Sequence, residues 1–106
     1  MSPAFDVLTL PLRQDILAAL RHGPALVGDL AERLGAPQAA VSKQLRVLRE
    51  AGFVRARVDA QRRWYELCPQ PFVEMAQWLE PYRWMWEDRL DKLGGTLERI
   101  KESEQS

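Results

Sequence analysis

Gln38, Ser42, Lys43, Arg46 and Arg49 recur on one side of a helical repeat, and each is hydrogen-bonding or cationic. Acids are scarce there, with Glu50 arriving only at the end of the run. An amide, a hydroxyl, an ammonium and two guanidinium forks on one helix suit the base edges and phosphates of a duplex groove. The competing reading is a soluble helical hairpin whose outer face is simply solvated. Catalytic chemistry finds less support. The chain has one histidine and one cysteine, no Ser/His/Asp or Cys/His set, and no glycine-rich phosphate loop. Glu87, Asp88 and Asp91 read as a solvated helix face, and no cofactor is expected.

The elements that must position this polar side are legible. Val41, Leu45 and Leu48 lie four and three residues apart and give its helix an inward stripe. Before it, Leu30, Ala31 and Leu34 give a shorter helix, and Gly35 supplies a residue tolerant of a left-handed backbone. A small Ala31, a turn at Gly35 and an apolar Val41 form the packing signature of a helix-turn-helix over Asp29–Gly52.

Upstream, Phe5, Val7, Leu8 and Leu10 are too apolar for a free tail. Pro11 fits the first position of a helix whose inward residues are Leu12, Ile16 and Leu20, widened by Leu17 and Ala19. His22, Gly23 and Pro24 end it, and His22 there eases the helix dipole. Downstream, Val54, Ala56 and Val58 alternate with Arg55 and Arg57, which predicts a strand with one buried face. Arg62–Leu67 predicts its partner strand. Asp59-Ala60-Gln61 lacks the Asn-Gly or Asp-Gly of a two-residue turn, so a looser loop is expected. A basic hairpin after a reading helix is a wing, and Arg62 and Arg63 at its tip suit phosphates or a narrow minor groove. Alternatively these arginines only guard an exposed sheet edge.

Net charge is zero over 106 residues, but its distribution is uneven. Residues 37–63 carry seven Lys/Arg against two acids, whereas residues 64–106 carry five against nine. That pattern fits a DNA-facing middle and a separate association element. No apolar run approaches the roughly 20 residues that span a bilayer. The single Cys68 rules out an intrachain disulfide, and a reducing cytoplasm fits.

After Cys68-Pro69-Gln70-Pro71, Phe72, Leu79, Trp86, Leu93 and Ile100 fall at seven-residue intervals, with Met75 and Tyr82 at the intermediate position and Leu90 and Leu97 drifting from it by one residue. This approaches a coiled-coil seam whose simplest partner is a second copy. Pro81 should kink that helix or begin a new one after Glu80, and Gly94-Gly95 weakens its end. Trp78, Trp84, Met85 and Trp86 supply a dimer core or, alternatively, an effector pocket between subunits. The chain thus reads as one domain: a head with wing over 1–68, a dimerisation helix over 69–101 and a frayed tail over 102–106.

The order of these elements, with Pro11–Leu17, Val27–Gly35, Ala40–Gly52 and Arg62–Leu67, resembles the ArsR-type family of bacterial repressors. The resemblance implies a mainly α fold with a small β-hairpin: a winged helix-turn-helix homodimer, paired through its first and last helices, on a near-palindromic operator, often in its own promoter. It implies major-groove contacts from Gln38, Ser42, Lys43 and Arg46 and wing contacts from Arg62 and Arg63, and Gln44, Arg49 and Arg57 are expected to join them on the DNA. It also implies a dimer interface of Phe5, Leu8, Phe72, Met75, Leu79, Tyr82, Trp86, Leu90 and Leu93. Metal-sensing members place paired cysteines where this chain has Leu26 and Gly28, and others use Asp, His and Glu on the last helix, where this chain has no His. One Cys and one distant His cannot assemble such a site. The match is therefore closer to the non-metal branch, whose signals are varied, and an unknown small-molecule effector is one partner the resemblance allows. Leu10, Leu26 and Pro37 also stand where capping Asp, Ser or Thr are usual. Two other readings stay open: a redox regulator acting through Cys68, and a protein-interaction winged helix that touches no DNA.

Overall fold

The computed structural model describes residues 5–87 and 89. A short 3-10 segment, Phe5–Thr9, leads into α1 (Pro11–Leu20), α2 (Val27–Leu34) and α3 (Gln38–Glu50). Strands β1 (Val54–Asp59) and β2 (Arg62–Leu67) follow, then α4 (Gln70–Leu79) and a 3-10 run, Glu80–Met85. The chain divides into two compact units, one ending at Met75 and the other beginning at Ala76. Among the described helices, none is long and apolar enough to cross a membrane.

The first unit is built on the apolar stripes of its helices. Ile16 and Leu20 of α1, Leu30 and Ala31 of α2, and Val41, Leu45 and Leu48 of α3 are buried together with Phe53 and Val54. Among the described residues every buried side chain is apolar. Pro11 opens α1 as expected, and Leu10, Leu26 and Pro37 stand at the three N-caps without a side-chain capping bond. Gly35 takes the left-handed conformation, φ 61°. Its N–H bonds the Glu32 carbonyl at 3.3 Å, and the Ala36 N–H bonds Ala31 at 3.0 Å. This paired ending stops α2 within one residue and turns the chain into α3.

The strands pair antiparallel from Val54↔Leu67 to Asp59↔Arg62. That register leaves only Ala60 and Gln61 in the connection, with φ of 51° and 65°. The turn is therefore a tight two-residue one and not the looser loop that the sequence suggested. Two successive left-handed residues match the right-handed twist of the strands, and here that geometry outweighs the preference for Asn-Gly. Left-handed backbone disfavours L-residues by about 1–2 kcal/mol each. Replacing Ala60 by Asn and Gln61 by Gly should therefore raise stability by about 1 kcal/mol. Urea unfolding checks this, and an unchanged or lower midpoint would count against the turn.

The alternation in β1 holds only at its base. Val54 is 2% exposed but Val58 is 69% exposed, because the hairpin projects past the core that covers its first residues. A third backbone segment joins at the other edge. Ala25 N–H donates to the Tyr65 carbonyl at 2.9 Å and Tyr65 N–H donates back at 2.8 Å. This bridge ties the α1–α2 connection to β2, a pairing that no local sequence pattern announces. Helix α4 stops at Leu79, two residues before Pro81, and the 3-10 run contains the proline. A ring without an N–H cannot continue the ladder of an α-helix.

Candidate nucleic-acid interface

The α3 helix is held by the side that carries Val41, Leu45 and Leu48, each fully buried. Burying that side forces the opposite one outward. Gln38, Ser42, Lys43, Arg46 and Arg49 are all exposed, as the helical repeat required. Arg46 reaches one turn along to Glu50, Nε to Oε1 at 3.3 Å, with both side chains largely exposed. An exposed pair of this kind contributes about 0–1 kcal/mol, so the guanidinium exchanges it readily for a stronger acceptor. Among the described residues, Lys43 and Arg49 form no ion pair.

Helix α3 ends in the same two-bond fashion as α2. Gly52, at φ 83°, donates to the Arg49 carbonyl at 3.0 Å, and Phe53 N–H donates to Leu48 at 2.9 Å. The chain passes from α3 to β1 through Ala51, Gly52 and Phe53 alone. The wing is thereby fixed to the end of the helix.

On the wing the register separates the arginines. Arg55, Arg57 and Arg62 share one face with Trp64 and Glu66, while Arg63 stands on the other face beside Val58. On the first face, Arg55 Nε meets Glu66 Oε1 at 2.6 Å and Arg57 Nε meets Glu66 Oε2 at 3.5 Å. Arg57 also lies 3.9 Å from Asp59. One carboxylate thus engages two of the wing's cations, and the Glu66 side chain is only 18% exposed. Arg62 and Arg63 follow the turn at the start of β2, exposed and without an ion pair among the described residues.

Residues 11–56 match the family described as bacterial regulatory protein, arsR family. The transcriptional regulator NmtR of Mycobacterium tuberculosis is 50% identical over 54 residues, 51% of this chain and 45% of that one. The biofilm growth-associated repressor of Xylella fastidiosa is 37% identical over 60 residues, 57% of this chain and 53% of that one. The chain thus matches about half the length of these two relatives. A solved structure extends the likeness: a possible transcriptional regulator for arsenical resistance is 32% identical with a TM-score of 0.67. That superposition covers 91% of this chain and 97% of the other. The chain belongs to the ArsR family.

Its fold is the winged helix-turn-helix of that family, mostly helical with one antiparallel hairpin. Within this ArsR-family chain, the residues assigned by sequence to association fall into three groups. Phe5, Leu8 and Phe72 are half-buried and pack on the core of the first unit, where Met75 is itself buried. Phe72 meets Phe53 edge to face at 5.4 Å. Their packing carries the first unit to Met75, beyond the boundary at Cys68 drawn from sequence. Leu79, Tyr82 and Trp86 belong to the second unit, where the Trp78 and Tyr82 rings meet at 5.3 Å with their planes tilted by 33° and Trp84 is 75% exposed. Leu90 and Leu93, with the rest of the seven-residue repeat, lie outside the described residues.

Gln44 differs from the other residues assigned to DNA. It is half-buried and accepts a 2.8 Å hydrogen bond from Arg13 on α1. Sequence reading also passed over Glu66. The two-residue period of Arg55, Arg57 and Glu66 carries that signal, but only once the strand register is known. Cys68 is half-buried after β2, its N–H bonded to the Phe53 carbonyl at 2.9 Å. Among the described residues no three His, Cys, Asp or Glu side chains gather as metal ligands would.

Proposed function

We propose that this ArsR-family protein is a homodimeric, sequence-specific DNA-binding repressor that occupies a near-palindromic operator, acts in the cytoplasm and works by binding without catalysis. The observation that carries this reading is the division of α3. Its apolar side is fully buried, and its outward side exposes an amide, a hydroxyl, an ammonium and two guanidinium groups. Gln38, Ser42, Arg46 and Arg49 would meet base edges and neighbouring phosphates, Lys43 the backbone, and the wing arginines the flanking phosphates. Association through the aromatic C-terminal segment would set two reading helices about one DNA turn apart. The protein belongs, on this reading, to the branch of the family without a metal switch, since Leu26 and Gly28 stand where thiols would be needed.

Selection from a random duplex pool tests the whole proposal. Two related half-sites about 10 base pairs apart are expected. Recovery of sequences without a shared motif would refute specific reading, and a single half-site would refute the dimer.

The wing adds a finer expectation. Glu66 holds Arg55 and Arg57 in competition with phosphate. Glu66→Gln should therefore tighten binding to random duplex and steepen its logarithmic salt dependence by about one to two. Titrations between low and moderate salt check this. An unchanged slope would mean that neither guanidinium reaches DNA.

A further inference from the structure

Gln44 lies on α3 but not on its outward side. At 3.6 residues per turn it stands roughly 160° around the helix from both Ser42 and Arg46. There its Oε1 accepts a 2.8 Å bond from Arg13 Nε, between helices whose bonded residues are 31 positions apart in sequence. The same guanidinium donates from Nη1 to the Val7 carbonyl at 3.4 Å. The adjacent Gln14 amide donates to the Leu8 carbonyl. One arginine thus bridges the N-terminal 3-10 segment, α1 and the reading helix.

We propose that Arg13 is a positioning residue: through Gln44 it fixes the rotation of α3 and joins that helix to Phe5–Thr9, so that Gln44 reads no base. This rests on the DNA-reading function proposed above. Apolar burial of Val41, Leu45 and Leu48 holds α3 against the head, but such burial is non-directional and tolerates small rotations. A planar guanidinium bonded to an amide oxygen is directional and resists them. Base recognition depends on that difference, because bidentate contacts to base edges fail with small misalignments whereas phosphate attraction does not. Pro37 adds to the need, since the start of α3 has no side-chain cap to fix it.

The test compares the parent with Arg13→Met, Gln44→Met, the double variant and Arg13→Lys. Each is titrated with the selected operator and with a scrambled duplex, alongside thermal midpoints and base preference at every operator position. Each single Met substitution should lower the operator-to-scrambled affinity ratio by about tenfold and leave scrambled binding unchanged. The double variant should lose no more than either single one, since both remove the same bond. Lysine, lacking the fork, should restore only part of the ratio. A merely structural role predicts a lower thermal midpoint with the ratio intact, and that result overturns the proposal. So does a relaxed preference at one base pair in Gln44→Met, or additivity of the two single losses. If Arg13→Met fails to fold, Gln44→Met alone decides by the same criteria. A parent that binds operator and scrambled duplex equally overturns the proposed function and this inference together. A discriminating parent whose ratio neither substitution moves overturns this inference alone.

Discussion

Arg46→Ala should reduce operator affinity by about 1–3 kcal/mol and relax preference at the base pair its guanidinium meets. The residue is suited to this effect by position and by what it gives up. It sits mid-way along α3, exposed, with the fully buried Leu45 beside it fixing the backbone from which it projects. Its only partner among the described residues is Glu50, in an exposed pair that is exchanged at little cost. The substitution should leave stability within about 0.5 kcal/mol, because no buried group depends on it. Arg62→Ala supplies the contrast. At the wing tip it should weaken all duplexes alike and lower the salt slope by about one phosphate. Operator and scrambled titrations at two salt concentrations separate the two behaviours. An Arg46→Ala variant that weakens both duplexes equally would place this residue on the phosphate backbone instead.

How much of this was legible in the sequence depends on the range of the interaction involved. Residues that act locally were readable. Pro11 opens α1, Gly35 ends α2 in a left-handed turn, and the stripe of Val41, Leu45 and Leu48 is fully buried where its period placed it. The outward side of α3 followed from the same period. Features that depend on which segments meet were not readable. The tight turn at Ala60-Gln61 follows from the strand register, and no residue type there announces it. Val58 obeys the alternation yet is exposed, since alternation gives a side chain's face but not how far the core extends beneath it. The Ala25–Tyr65 bridge, the Arg13–Gln44 bond and the Glu66 clamp each join residues distant in sequence. The seven-residue repeat after Cys68 shows a further limit. Phe72 and Met75 fit it, yet they pack on the head's own core, because periodicity identifies an apolar side without naming what covers it.

Phe53→Ala should have the largest effect on the fold, a loss of about 3–5 kcal/mol. Phe53 is fully buried and heads the largest of the completely buried side chains. Its backbone closes α3, with its N–H on the Leu48 carbonyl, and its own carbonyl accepts the Cys68 N–H at the far end of the hairpin. Its ring meets the edge of Phe72 at 5.4 Å. The ring therefore fills the point where reading helix, wing and α4 converge, and deleting it leaves a cavity bounded by three elements that cannot all collapse inward. Domains of this size have total stabilities of about 5–15 kcal/mol, so the variant should lose much of its margin. Its thermal midpoint should fall by about 15 °C or more. Phe72→Leu should cost less, under about 1.5 kcal/mol, because that ring is half-buried and the replacement keeps most of its volume. Circular dichroism melts of the two variants test the ordering. A Phe53→Ala midpoint within a few degrees of the parent would show that the α3–wing junction is held by its backbone bonds alone. In that event the wing's attachment would depend on Gly52 and the Leu48 carbonyl, and Gly52→Ala, strained at φ 83°, would become the damaging substitution.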